Sequence, residues 1–136
     1  MRPSYGKHLH VLLDTHVLLW AMTDDKRLSP AARDIVTDKN HYVVISIVSL
    51  WEVAIKSSIS KLDSRVTLRQ FKNSLVQFEV DLLDMDTDHI ESYTTLPLHH
   101  RDPFDRMLIA QAKHEGLHIL TADPAFKLYD VNVLDI

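Results

Sequence analysis

The chain contains no cysteine, which excludes a disulfide framework, a thiolate zinc site and a thiol nucleophile and leaves nothing to argue for an oxidising compartment. A cytoplasmic protein is the expectation. Glycine is nearly as scarce. Gly6 and Gly116 are the only two in 136 residues, so neither a Gly-rich dinucleotide fingerprint nor a phosphate-cradling P-loop can be written. No apolar run approaches the ~20 residues of a membrane span, and Met1 to Lys7 is too short and polar for a secretory signal. Positive charge is short as well: 15 Lys and Arg against 19 Asp and Glu leave a net charge of −4. That balance is poor for a protein approaching a polyanion, so any nucleic-acid contact must rest on a bound cation or on local patches. Two patches are available. Lys56, Lys61, Arg65, Arg69 and Lys72 form a basic run, read first as a solvated helical face, and His99, His100, Arg101 and Arg106 flank an acidic segment.

What is present is an alternation of short apolar runs and helical patterns. His8 to Leu13, Tyr42 to Ile45, Val80 to Leu83, Leu117 to Leu120 and Val131 to Leu134 are rich in Val, Ile and Leu, as strands buried on both faces are. Between them, Ser29-Pro30, Ser49 with Glu52, Thr67, and Asp102-Pro103 punctuate helix starts, and the last helix stops at Gly116. Repeated β-α units imply right-handed crossovers and a three-layer α/β/α sandwich around a parallel sheet of about five strands. With 46% hydrophobic residues and no linker, repeat or low-complexity tract, one domain spanning 1–136 is expected, with 1–7 as a candidate disordered lead.

Four acids fall at positions such a fold would bring together. Asp14 and Asp123 each come directly after an apolar run, where a strand should end and where ligands of open parallel sheets bind. Asp105 lies in the first turn of the helix opened by Asp102-Pro103, and Glu52 lies in Ser49-Leu50-Trp51-Glu52. Each has a plainer explanation. Asp102 reads as an N-cap, Asp105 as a first-turn acid favoured by the helix dipole, and Glu52 as the partner in a capping box with Ser49. Asp14 reads as the N-cap of a helix from Thr15 to Trp20, and Asp123 as a cap before Pro124. If Asp14, Glu52, Asp105 and Asp123 converge, their mutual repulsion calls for a divalent cation, and an all-oxygen donor set selects Mg²⁺, or Mn²⁺ in its place, over Zn²⁺. The chemistry suited to such a site is phosphodiester hydrolysis.

The segments Leu12 to Trp20, Ser49 to Lys56, Arg101 to Ala112 and Leu120 to Asp123, in that order, resemble the successive motifs of PIN-domain ribonucleases, most nearly the VapC toxins of bacterial toxin-antitoxin pairs. The resemblance spans His10 to Ile136. It implies a PIN-like fold, Mg²⁺-dependent endoribonuclease activity, and Asp14, Glu52 and Asp105 as the core acids with Asp123 completing the set. Asp14 and Asp105 would be the direct metal ligands. It also implies Thr15 as a supporting hydroxyl, a homodimer, an RNA substrate, and a VapB-type antitoxin whose segment fills an apolar groove and delivers an arginine to the acids. It leaves Asp102 as a cap. Trp20 and Trp51 are candidates for the groove, though core packing is the plainer expectation for both, and His16 is expected to pack near the site. Two rivals stand beside this reading. A haloacid-dehalogenase-like phosphatase would need a second aspartate two residues after Asp14, where His16 stands. A catalytically silent PIN-like module binding RNA or protein would keep the fold without the chemistry.

Overall fold

The protein is described by a computed structural model covering residues 8–59 and 66–135. Residues 1–7, Lys61 and Arg65 of the basic run, and most of the loop expected from Lys61 to Thr67 lie outside the described residues. The element order is β1 (His10–Leu13), α1 (Thr15–Thr23), α2 (Pro30–Thr37), β2 (Tyr42–Ser46), α3 (Ile47–Ser58), α4 (Leu68–Gln77), β3 (Asp81–Leu83), α5 (Thr87–Thr94), α6 (Pro103–Glu115), β4 (His118–Thr121) and β5 (Asn132–Asp135). All five expected strands form, within two residues of their expected ends.

Every strand pairing is parallel, in the order β3-β2-β1-β4-β5. The chain winds outward from β1 through β2 to β3, then returns to lay β4 on the other side of β1. The crevice beyond the carboxyl ends of β1 and β4 is therefore the switch point, where neighbouring connections diverge and leave room for a ligand. Alternate residues of the central strand supply two cores. Val11 and Leu13 join Val17, Leu18, Val36 and Phe71 beneath α1, α2 and α4, while Leu12 joins Leu108, Ile109 and Ile119 beneath α6. All of these are buried, which is why β1 reads as a continuous apolar run rather than an alternating one. The α/β/α sandwich is as expected.

The helix starts carry three confirmations and two corrections: Ser29 caps α2 and Thr67 caps α4 as expected. Asp102 caps α6, accepting from the Phe104 and Asp105 amides at 2.8 and 3.1 Å, and Gly116 closes the same helix in the left-handed region at φ 70°, a conformation glycine adopts without a Cβ penalty. Helix α3, by contrast, starts three residues earlier than Ser49-Leu50-Trp51-Glu52 implied. Its cap is Ser46, whose hydroxyl accepts from the Val48 amide at 3.0 Å. Ser49 and Glu52 are interior residues of that helix, and both are buried. Helix α5 had no counterpart in the sequence expectation. Its capping box pairs Asp86 with His89 at the position where Glu or Gln is usual. His89 is 1% exposed and its Nε2 lies 2.8 Å from Glu115 Oε2, so this cluster fastens α5 to α6.

Candidate functional site

One cavity of about 290 Å³ opens at the switch point, and Asp14, Glu52, Asp105 and Asp123 all line it. Four separate elements deliver them. Asp14 is the first residue past β1, Glu52 lies one and a half turns into α3, Asp105 sits on the first turn of α6, and Asp123 stands two residues beyond β4.

Asp14 occupies the N-cap position of α1, yet its side chain makes no capping bond. Instead its Oδ2 accepts from the Thr121 hydroxyl at 2.7 Å, across the β1–β4 pairing. The plainer explanation for this acid is thereby excluded. At 6% exposure the carboxyl is pushed up from its ordinary value by burial, an effect that Thr121 and His16 oppose and Glu52 reinforces. Asp105, half-buried, is pushed up to about 8, first by burial and then by the charges of Asp14, Asp102, Glu52 and Asp123. At neutral pH the cluster thus holds on to a proton unless something positive takes its place.

Glu52 is 3% exposed and locked at both oxygens. Its Oε1 accepts from the Thr15 hydroxyl at 2.8 Å, and its Oε2 lies 2.6 Å from Lys56 Nζ. The Thr15 hydroxyl also bonds Ser49 Oγ at 2.7 Å, so Ser49 contributes to the site rather than to the helix start. Burial draws Lys56 down, but its bond to Glu52 and the charges of Glu52, Asp102 and Asp105 leave it raised overall, a fixed cation at the cavity edge. Asp123 caps the turn Pro124–Leu128 through Oδ1, bonding the Ala125 amide at 2.9 Å. Capping and proximity to the other acids coexist here because the two oxygens divide the work.

His16, Trp20 and Arg27 also line the cavity. His16 is exposed rather than packed, with its ring 5.9 Å from that of Trp20. The tryptophans divide: Trp20 is half-buried and packs against the core beneath α1, whereas Trp51 is 60% exposed with its ring against Phe104. Trp51 sits on a helix whose other residues, Val48 and Val53, already fill the two cores. Two basic-patch assignments fail as well. Arg106 is buried beneath the Tyr93 ring, and its Nη1 donates to Pro97 O and the Tyr129 hydroxyl at 2.9 and 3.2 Å. One residue after Asp105, it points to a different side of α6, as helical geometry requires. His99 is exposed as expected of a loop histidine, but His100 is not: its Nε2 lies 3.0 Å from Asp105 Oδ2 and 3.2 Å from Asp123 Oδ2. The sequence signal was only its place two residues before a helix cap.

The donor set suits a hard divalent cation. Carboxylates from Asp14, Asp105 and Asp123 face a solvent-reached cavity, and the raised protonation of Asp14 and Asp105 marks a burial and charge repulsion that a divalent ion would relieve. Beside it runs an apolar groove of about 380 Å³ lined by Trp51, Met85, Ile90, Tyr93, Phe104 and Met107 among others. Trp51 and Phe104 border the groove while their chain neighbours Glu52 and Asp105 border the acids.

Comparison with known proteins gives the architecture a family. No curated protein matches the chain. Among solved structures, a chain of VapBC2 from Rickettsia felis, determined on a DNA fragment from the promoter of that pair, is 17% identical with a TM-score of 0.69, covering 93% of this chain and 98% of that one. A chain of VapBC-1 from nontypeable Haemophilus influenzae is 17% identical with a TM-score of 0.65 over the same shares. VapBC-5 from Mycobacterium tuberculosis, a member of the VapBC family of toxin-antitoxin systems, gives 21% and 0.56, over 93% and 97%. At these identities the likeness is one of fold. The family model for the PIN domain matches residues 11–132, from the first strand to the last and through all four acids: the chain belongs to the PIN-domain family.

Proposed function

We propose that the protein is a Mg²⁺-dependent endoribonuclease and the toxin of a VapBC-type pair, acting in the cytoplasm as a single PIN domain. The observation that carries this reading is the convergence of Asp14, Glu52, Asp105 and Asp123, from four separate elements, on one cavity at the switch point of the sheet. Asp102, a helix cap, lines the same cavity, but the side chains of Asp14 and Glu52 cap nothing, and a structural role does not account for these two buried acids facing the others.

Asp14 and Asp105 are assigned as ligands of Mg²⁺, with Mn²⁺ as a substitute, and Glu52 and Asp123 as the acids that complete and orient the site. When bound, the ion supplies charge stabilisation and an activated water for in-line displacement at a phosphodiester. The chain's own residues prepare that step. Thr121 fixes the Asp14 carboxylate and Thr15 with Lys56 fixes Glu52. Both acids are thereby held in one rotamer before substrate arrives. The raised Asp105 carboxyl would have to release its proton to hold a cation. Lys56 at the edge adds the positive charge that a net −4 chain otherwise lacks for an incoming phosphate.

The antitoxin reading draws on the groove. An apolar segment laid along Trp51, Phe104 and Met107 would end beside the acids, where an arginine carried by that segment would pair with carboxylates and displace the cation. A homodimer belongs to the same reading. Purified, antitoxin-free protein and its Asp14→Asn variant, incubated with total RNA in Mg²⁺, Mn²⁺ or EDTA and then end-mapped, test the activity. Discrete metal-dependent cuts that disappear in the folded variant support the nuclease. If neither protein cuts while both bind RNA or a partner, the silent PIN-like module takes its place.

A further inference from the structure

The ring of His100 is held at every edge. Its backbone amide donates to the Tyr129 hydroxyl at 2.8 Å, and Arg106 braces the same hydroxyl from below at 3.2 Å. The Asp102 amide lies 3.2 Å from Nδ1, Phe126 meets the ring edge-on at 6.2 Å, and Nε2 faces Asp105 and Asp123. These contacts fix the tautomer. A backbone N–H can donate only to a ring nitrogen with a free lone pair, so Nδ1 carries no proton and the neutral ring carries its proton on Nε2. That nitrogen therefore has no lone pair for a metal ion, although His100, Asp105 and Asp123 are close enough to share one. It has instead an N–H that bonds Asp123 Oδ2 at 3.2 Å, with Asp105 Oδ2 3.0 Å away.

We propose that His100 is a positioning residue for the metal centre, whose Nε2–H holds Asp123 beside Asp105 and so orients the pair for the cation without ligating it. The inference rests on the metal-centre reading above and assigns a function to a residue outside the acidic set. Asp123 shows the arrangement most fully. With Oδ1 on the Ala125 amide and Oδ2 on His100, both of its oxygens are engaged by the chain, and it serves to orient its neighbours. Asp105 Oδ2 lies 3.0 Å from the same His100 nitrogen, close enough for the placement of the ring to bear on that of the carboxylate. The first-turn backbone of Asp105 comes from the Asp102 cap. One short run, from His100 to Asp105, thus contains the ligand, the cap that places it and the donor beside it.

The test is Mn²⁺ binding, read from the loss of the free-ion paramagnetic signal, for the wild type, His100→Ala, His100→Gln and Asp14→Asn, each shown to be folded by its melting transition. His100→Ala should bind roughly 10–100-fold more weakly, the usual cost of losing a group that orients a ligand. His100→Gln, which carries an amide N–H to nearly the same point, should recover most of that loss, as a merely structural role for the ring would not allow. The bound-Mn²⁺ spectrum should show no strong coupling to a directly bonded nitrogen. Unchanged affinity in His100→Ala, with binding lost in Asp14→Asn, overturns the proposal and leaves the metal centre standing, and a directly coupled nitrogen that vanishes in His100→Ala overturns it in favour of ligation. If the wild type itself takes up no Mn²⁺, the metal centre and this inference fail together.

Discussion

A carboxylate that is buried among its own kind behaves unlike an exposed one, and Asp105 makes the difference measurable. Its folded value of about 8 lies above the ordinary 3.8, so across that interval the folded protein keeps a proton that the unfolded chain has released. The stability tied to that proton is complete below the ordinary value and is lost as pH rises through about 8. In EDTA, melting temperature should fall as pH is raised across that interval, and Asp105→Asn should flatten the fall. A wild-type profile as flat as the variant's would remove the charge-repulsion argument. The same proton must leave when a cation enters, so metal affinity should rise with pH up to about 8, read as proton release by titration calorimetry in two buffers. Asp14 belongs to this scale too. Asp14→Asn keeps an acceptor for Thr121 but removes the charge, and should lower RNA cleavage by at least the roughly 10–100-fold that a lesser change to a metal centre costs. Asp105 was separated from Asp102 only by the family resemblance, whereas Asp14 was legible because it directly follows an apolar run at a strand end. His100 was not, because histidines in a loop look alike until the fold shows which of them is turned inward.

Among the elements, helix α6 does the most positioning. Its cap, its ligand candidate and its core-facing stripe lie close together in sequence, and its first turn is fixed by Asp102 and Pro103. Asp102→Asn should preserve the helix start within about 0.5 kcal/mol, since asparagine caps as well as aspartate, whereas Asp102→Ala should cost roughly 1 kcal/mol. Urea melts of the two variants decide it. Equal losses in both would mean that the charge of Asp102, not its capping, holds α6. The strands were readable because both faces are buried, which leaves an unbroken apolar run of strand length. The start of α3 misled for the same physical reason that a capping box is ambiguous: Ser49 and Glu52 have the right spacing at a helix start and equally the right spacing to meet Thr15 from within a helix. Helix α5 was hidden because histidine replaces the usual Glu or Gln in its box. Arg106 was misplaced on the acidic face because proximity in sequence to Asp105 says nothing about which side of α6 it takes.

At the scale of the whole molecule, a cation that binds only the folded protein stabilises it by mass action, at about 2.7 kcal/mol when present at about 100 times its dissociation constant. Thermal melts over a Mn²⁺ series should therefore rise and track binding in the wild type and stay level in Asp14→Asn. A rise of equal size in both would place the cation elsewhere. The fold itself was legible because a doubly wound sheet needs little beyond alternating β and α patterns, and the site because such sheets put their ligands at one predictable crevice. The groove was expected only through the family resemblance, and core packing stayed the plainer expectation for Trp51, since its exposure depends on which helix face the two cores have already claimed.

The strand order carries a consequence for the timing of the protein's birth. Thr121 reaches Asp14 across 107 positions of chain, and β4 lies against β1 on the side opposite β2 and β3. A ribosome translating this message therefore exposes Asp14 and Glu52 long before their remaining partners exist, and the cluster closes only when about nine-tenths of the chain has emerged. The fold is thus its own delay: the acidic cavity is complete only once the last of its acids, Asp123, has been made.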